Sequence, residues 1–203
     1  MKKTSAIILT GGKSIRMNYP KEMLSFKGEY LIENIVEKLY DCFEDIIIVT
    51  NNKKFHYQRS YSNFSNVKIV SDLYKNKGPI AGLHAGLYNS ENEDNFLVAC
   101  DMPFIKKDFL NYIKSIKYDK ILVAKRSGYI EPFFAMYKLN LLDDLIKYIE
   151  DGNKSLNGFI KRFDYDLIDC DILNTNDNYR VFENLNYPKN WRKYIKEVYD
   201  EDI

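Results

Sequence analysis

Residues Ile46, Ile47, Ile48, Val49 and Thr50 form an unbroken β-branched run. Such a run has no polar face, so a strand made from it must be covered on both sides, as strands are inside a parallel sheet. Ala6-Ile7-Ile8-Leu9 and residues 96–100 and 121–124 are further apolar runs of strand length, and residues 67–70 read as another short strand. Segments of helical period lie between them. Residues 31–40 set Leu31, Ile32, Ile35, Val36 and Leu39 on one face, 80–88 opens on Gly78-Pro79, and 107–116 is a third such segment. Strands alternating with helices predict βαβ units and a mostly parallel sheet, with right-handed crossovers placing helices on both faces. Beyond residue 125 the pattern loosens. Residues 139–149 read as a helix, Ser155 to Ile160 as a short helix with Ser155 as N-cap, and 190–198 as a terminal helix. No internal repeat, low-complexity tract or long linker interrupts the 203 residues, so one domain spanning 1–203 is expected.

Parallel sheets bind ligands beyond the carboxyl ends of their strands. Thr10 to Lys13, Asn51 and Asn52, Ser71 and Asp72, and Asp101 all fall just past predicted strand ends. Leu9-Thr10-Gly11-Gly12-Lys13-Ser14-Ile15-Arg16-Met17, with Lys21 beyond, stands out. Adjacent glycines let backbone N–H groups approach a polyphosphate, and Arg16 and Lys21 supply cations. Neither familiar phosphate loop is present. No glycine precedes Gly12 at the Walker spacing, and nothing after Gly11-Gly12 completes a dinucleotide fingerprint. A tight strand-to-helix turn with surface cations is the plainer alternative.

Asp101, at the end of Leu97-Val98-Ala99-Cys100-Asp101, has the position of a carboxylate that holds Mg²⁺ against phosphate oxygens. Capping the following turn is the equally available reading. Asp72 precedes Gly78-Pro79-Ile80-Ala81-Gly82, whose glycines fit close backbone approach to a ligand or packing of a helix on the sheet. Asn51 and Asn52 suit contacts to a base or ribose, or an Asx turn. Neither His56 nor His84 has an acid or nucleophile partner nearby in sequence, and His84 reads as structural.

Composition narrows the functional classes. Lys and Arg total 30 against 29 Asp and Glu, which gives no support for nonspecific nucleic-acid binding. No apolar run approaches the roughly 20 residues of a membrane span. The apolar run after Met1-Lys2-Lys3-Thr4-Ser5 is shorter than the about 7–15 residues of a signal peptide, so a cytoplasmic location is expected. Cys42, Cys100 and Cys170 are widely separated and form no C-x-x-C, so each reads as a small buried hydrophobe.

Together these motifs resemble those of the molybdenum cofactor guanylyltransferase family, relatives of the sugar-nucleotide pyrophosphorylases. Leu9 to Met17 resembles the family's L-A-G-G-x-S-x-R-M, with Thr10 for Ala. Gly78 to Gly82 resembles G-P-L-A-G, and Cys100-Asp101-Met102-Pro103-Phe104 resembles C-D-M/T-P-F/Y. Glu131-Pro132 with Phe134-Ala135-Met136-Tyr137, Ser155-Leu156 with Phe159-Ile160, and Asn184-Leu185-Asn186-Tyr187-Pro188 resemble three later segments, in order. The resemblance implies a Rossmann-like three-layer α/β sandwich of the nucleotide-diphospho-sugar transferase type. It implies transfer of GMP from Mg-GTP to molybdenum-bearing molybdopterin, with release of pyrophosphate. The residues it implies for GTP are Leu9, Thr10, Gly11, Gly12, Lys21, Asn51 (or its neighbour Asn52) and Asp72. It gives Asp101 the Mg²⁺, Arg16 and Lys21 the phosphates, and Asn184 and Asn186 the pterin end. Proteins that insert molybdenum or receive the finished cofactor are the implied partners. Asn18-Tyr19-Pro20-Lys21 departs from the family's G-x-D-K and is similar to the cytidylyltransferase relatives. Tyr187 and Asn190 replace a usual Thr and an acidic residue. A cytidylyl- or sugar-phosphate nucleotidyltransferase, or a non-catalytic nucleotide- or pterin-binding carrier, are the alternatives.

Overall fold

A computed structural model of the chain describes residues 3–10, 20–171 and 179–200. Its main sheet has seven strands in the order β5-β4-β1-β6-β8-β7-β9. These are β1 (Thr4–Leu9), β4 (Asp45–Val49), β5 (Val67–Val70), β6 (Asp94–Ala99), β7 (Ile121–Arg126), β8 (Tyr129–Lys138) and β9 (Asp166–Asp169). The two-residue strands β2 (Ser25–Phe26) and β3 (Glu29–Tyr30) form a separate hairpin. β5, β4, β1 and β6 run parallel, β8 runs antiparallel to β6 and β7, and β9 is parallel to β7.

Consecutive side chains of each strand enter opposite cores. Ala6, Ile8, Ile46, Ile48, Phe96, Val98, Phe134 and Met136 line one, shared with α1 (Leu31–Tyr40), α4 (Lys107–Ser115) and α7 (Pro188–Tyr199). Ile7, Leu9, Ile47, Val49, Leu97, Ala135 and Tyr137 line the other, shared with α3 (Pro79–Asn89), α5 (Leu142–Glu150) and α6 (Leu156–Ile160). The expected layers of helix, sheet and helix are present. Cys42, Cys100 and Cys170 are free and buried, as expected.

One expectation about crossovers needs correcting. The β5-to-β6 and β6-to-β7 connections travel the same way across the sheet, yet α3 and α4 lie on opposite faces. The two connections therefore have opposite hands. The second spans an intervening antiparallel strand, β8, so it is not the simple adjacent pair for which the right-handed preference is strongest.

The loosened pattern after residue 125 hides β8 and β9. Pro132 disguises β8, because a proline cannot donate to a ladder. The register against β7 jumps from Val123 opposite Ala135 to Ala124 opposite Glu131, so Pro132 sits in the resulting bulge. Its carbonyl accepts a hydrogen bond from the buried Tyr137 hydroxyl at 2.9 Å. Ser155 is the N-cap of α6 as expected, its Oγ accepting from Gly158 N at 3.1 Å.

The glycines of α3 serve packing. A Cβ at Gly82 would stand 2.8 Å from Leu9 Cδ2, and one at Gly86 would stand 2.7 Å from Ile7 Cδ1. Those bare positions let α3 lie directly on β1. Gly78, at φ +70°, makes the turn into α3 in a conformation that glycine adopts without strain. Gly86→Ala should therefore destabilise the protein by about 1–3 kcal/mol, the usual cost of overpacking a core. Gly82→Ala should cost less, because the flexible end of Leu9 can give. Denaturant unfolding of both variants checks this order.

Candidate functional site

The carboxyl ends of β1, β4, β5 and β6 share one edge of the sheet. Thr10 follows β1 and is buried, its N–H and hydroxyl both donating to Val49 O at 3.1 and 3.0 Å. Leu9 O accepts from Cys100 N at 3.0 Å, tying the ends of β1 and β6 together. Leu9 and Thr10 thus have backbone groups committed to the sheet, and they fix where the glycine segment departs. Gly11, Gly12 and Arg16 lie outside the described residues.

Lys21 and Asp101, 80 residues apart, meet here. The Lys21 ammonium is paired with Asp101 Oδ2 and also donates to Asn186 Oδ1. Asp101 is 7% exposed, and its carbonyl accepts from Leu185 N at 3.0 Å. The segment carrying Asn184 and Asn186 is therefore held against the end of β6. Asn184 Oδ1 is buried without a hydrogen-bond partner among the described residues.

A second pair forms at the ends of β4 and β5. Asn51 hydrogen-bonds the half-buried Asp72. Asn52 lies beside Glu22. Thr50, rather than an asparagine, stabilises the turn, its Oγ1 accepting from Asn52 N at 2.9 Å. β5 and β6 stand three strand spacings apart, about 14 Å. The Asn51–Asp72 and Lys21–Asp101 pairs thus mark two ends of an extended crevice.

Sequence reasoning missed Glu22 and the role of His56. Glu22 belongs to the 3₁₀ turn Lys21–Met23 and is 7% exposed. His56, in the short helix α2 (Lys53–Tyr57), is fully buried, with Nε2 3.2 Å from Glu22 Oε2 and Nδ1 2.6 Å from Tyr61 Oη. Thr50 Oγ1 donates to the same carboxylate at 3.2 Å. Burial alone would push the Glu22 carboxyl up. Hydrogen bonds from its neighbours, that from His56 the largest, outweigh it and hold Glu22 below the usual carboxylate range. The only sequence signal was a glutamate beside an expected phosphate-binding lysine. His84 is buried against Tyr74 and Tyr88, as a structural residue would be.

The donor set at Asp101 suits a hard divalent cation. Its carboxylate already faces a cation, the Lys21 ammonium. Among the described residues no group of three or more His, Cys, Asp or Glu could cage a metal. Magnesium needs no such cage, since it takes one or two protein carboxylates and completes its shell with phosphate oxygens and water. The edge thus carries an ion pair at one end and the half-buried Asp72 carboxyl with Asn51 at the other. No described helix is long and apolar enough to cross a membrane.

Residues 6–166 match the family model described as MobA-like NTP transferase domain. A probable molybdenum cofactor guanylyltransferase of Peptoclostridium acidaminophilum is 31% identical over 206 residues, covering 97% of this chain and 90% of that protein. One from Clostridium perfringens is 41% identical over 164 residues, 79% of each. Among solved structures, molybdopterin-guanine dinucleotide biosynthesis protein A from Archaeoglobus fulgidus superposes with a TM-score of 0.79 at 26% identity, covering 98% of this chain and 100% of that one. The 4-diphosphocytidyl-2C-methyl-D-erythritol synthase of Anaerococcus prevotii shares the fold, with a TM-score of 0.69 at 14% identity, covering 98% of this chain and 97% of that one.

Burial also pushes the Asp72 carboxyl above its ordinary value, against the opposing hydrogen bond from Asn51. A raised carboxyl pKa means that the folded state holds the proton more tightly than the unfolded chain does. Ionised Asp72 therefore costs stability at neutral pH, and the cost fades as the pH falls to where both states are protonated. Asp72→Asn should raise Tm at pH 7, with the gain shrinking towards pH 4. Thermal unfolding at both values reads this; equal Tm values at pH 7 would remove the burial penalty.

Proposed function

The chain belongs to the MobA-like NTP transferase family and is a nucleotidyltransferase, and on that premise we propose that it transfers GMP from GTP to the phosphate of molybdopterin carrying molybdenum. Pyrophosphate is the other product. The observation that carries the reading is the convergence of Lys21, Asp101 and Asn186 where the ends of β1 and β6 meet. We take residues 1–203 as one domain, because Val181, Phe182, Leu185 and Tyr194, beyond the matched segment, share a core with β1 and β6.

In the proposed reaction an oxygen of the acceptor phosphate attacks the α-phosphorus of GTP in line. The new P–O bond forms as the bond to the β-phosphate bridging oxygen breaks, and pyrophosphate leaves with that electron pair. Such transfers need no protein nucleophile and are catalysed by positioning and charge stabilisation. Lys21 would exchange its carboxylate partner for phosphate oxygens of GTP. Asn51 and Asp72 would hold the nucleoside end, at the far side of the crevice. Asn186, released from Lys21, and Asn184, with its orphaned carbonyl oxygen, would meet the acceptor. Asp101 would hold Mg²⁺, which when bound supplies charge neutralisation for the phosphates. Gly11, Gly12 and Arg16 complete the proposed phosphate site. Proteins supplying molybdenum or receiving the cofactor are its proposed partners.

A decisive assay follows pyrophosphate release from Mg-GTP, with CTP and ATP as controls, with and without molybdopterin. Release should require both GTP and the pterin. Asp101→Ala should lose about two orders of magnitude or more in turnover, the scale for removing one preorganised electrostatic element, with an unchanged thermal transition midpoint to within a few degrees. Turnover with CTP or a sugar phosphate would reassign the substrate. GTP binding without turnover would make the chain a carrier.

A further inference from the structure

We propose that the buried Glu22–His56–Tyr61 network is a positioning device for Lys21, which sets how tightly the enzyme grips its nucleotide. The inference rests on the reading of Lys21 as a phosphate ligand and extends it to residues that touch no substrate.

Lys21 opens a 3₁₀ turn of three residues. So short an element cannot hold a long cationic side chain in place by its own backbone hydrogen bonds. Glu22, the next residue, supplies the anchor. Its carboxylate is buried and gathers donors from two separate elements, Thr50 from the end of β4 and His56 from α2. A carboxylate only accepts, so the Nε2 of His56 is the donor to Glu22. In the neutral imidazole Nδ1 then accepts, and it takes the Tyr61 hydroxyl proton at 2.6 Å. His56 and Tyr61 are both essentially inaccessible, 0% and 1% exposed.

This arrangement does more than stabilise a core. Cutting the carboxylate would strand both buried donors at once, and a fully satisfied buried network fixes a single geometry for its members. The member closest to the crevice is the turn that carries Lys21. The Lys21 side chain faces Asp101 while the next residue is tied down behind it. Thr50, which joins the network from the end of β4, also sits beside the proposed nucleotide crevice. Glu22, His56 and Tyr61 are therefore positioning residues, and their effect on the substrate passes through Lys21.

The test is a double-mutant cycle read by equilibrium binding of Mg-GTP, with thermal unfolding run on every variant. Lys21→Ala should weaken binding about tenfold or more, the scale of a lost charge-assisted contact. Glu22→Ala should weaken it about three- to tenfold, and the double variant should bind within about twofold of Lys21→Ala alone, as expected for coupled sites. Glu22→Gln, which keeps the shape and one acceptor oxygen, should restore part of the loss. It replaces the Ala variant in the cycle if that protein is unfolded at the assay temperature. Additive losses in the double variant, or wild-type binding by a folded Glu22→Ala, would overturn the inference while leaving the role of Lys21 intact. Wild-type binding by Lys21→Ala would overturn the role of Lys21 and the inference with it.

Discussion

The pairing of β1 on both sides organises this protein. β1 lies parallel to β4 on one flank and to β6 on the other. The chain leaves β1 towards β4 and β5 and returns beneath the sheet to β6, so the carboxyl ends of β1 and β6 flank a point where the winding reverses. Connections diverge from such a point and leave a crevice. The strand order thus creates the site before any catalytic residue is considered. The glycines Gly82 and Gly86 let α3 seat directly on Leu9 and Ile7. β1 is therefore held from its edges and its face, and what departs from its end departs from a fixed place.

That rigidity is matched by an electrostatic arrangement that is unfinished without substrate. Lys21 and Asp101 neutralise one another in the absence of ligand. A buried or half-buried ion pair gains little net stability, because each charge gives up its hydration. Its functional merit is that both side chains are held facing one another at one place. A phosphate chain bringing its own cation offers each of them an equivalent partner, so binding exchanges contacts rather than creating new buried charge. At the other end of the crevice Asp72 carries the opposite signature. Burial disfavours its charge, and a donor such as an amide or hydroxyl of a nucleoside would relieve that cost.

The sequence made the architecture readable wherever burial was two-sided. The runs in β1 and β4 are apolar on both faces, and the predicted helix over 31–40 matches α1 residue for residue. The resemblance brought Lys21 and Asp101 into one site, and the fold places them in contact. What escaped was whatever depends on pairing across the chain. Pro132 made β8 look broken, because the bulge that accommodates it exists only opposite β7. The hand of the β6-to-β7 crossover is hidden for the same reason, since β8 enters between two strands that both precede it in the chain. The glycines of α3 fitted a ligand contact or packing equally well until β1 was seen beneath them.

Glu22 shows the same limit at the level of chemistry. In the sequence it is one acidic residue among many, and its partner His56 lies 34 positions away. Acidic side chains are seldom buried without pairing, but only the fold reveals that this one is inside. Once it is, each donor around it becomes informative. Thr50, which ends β4, and His56, from α2, converge on its carboxylate. A single buried side chain thus ties together elements that the sequence keeps apart, through hydrogen bonds that close away from solvent.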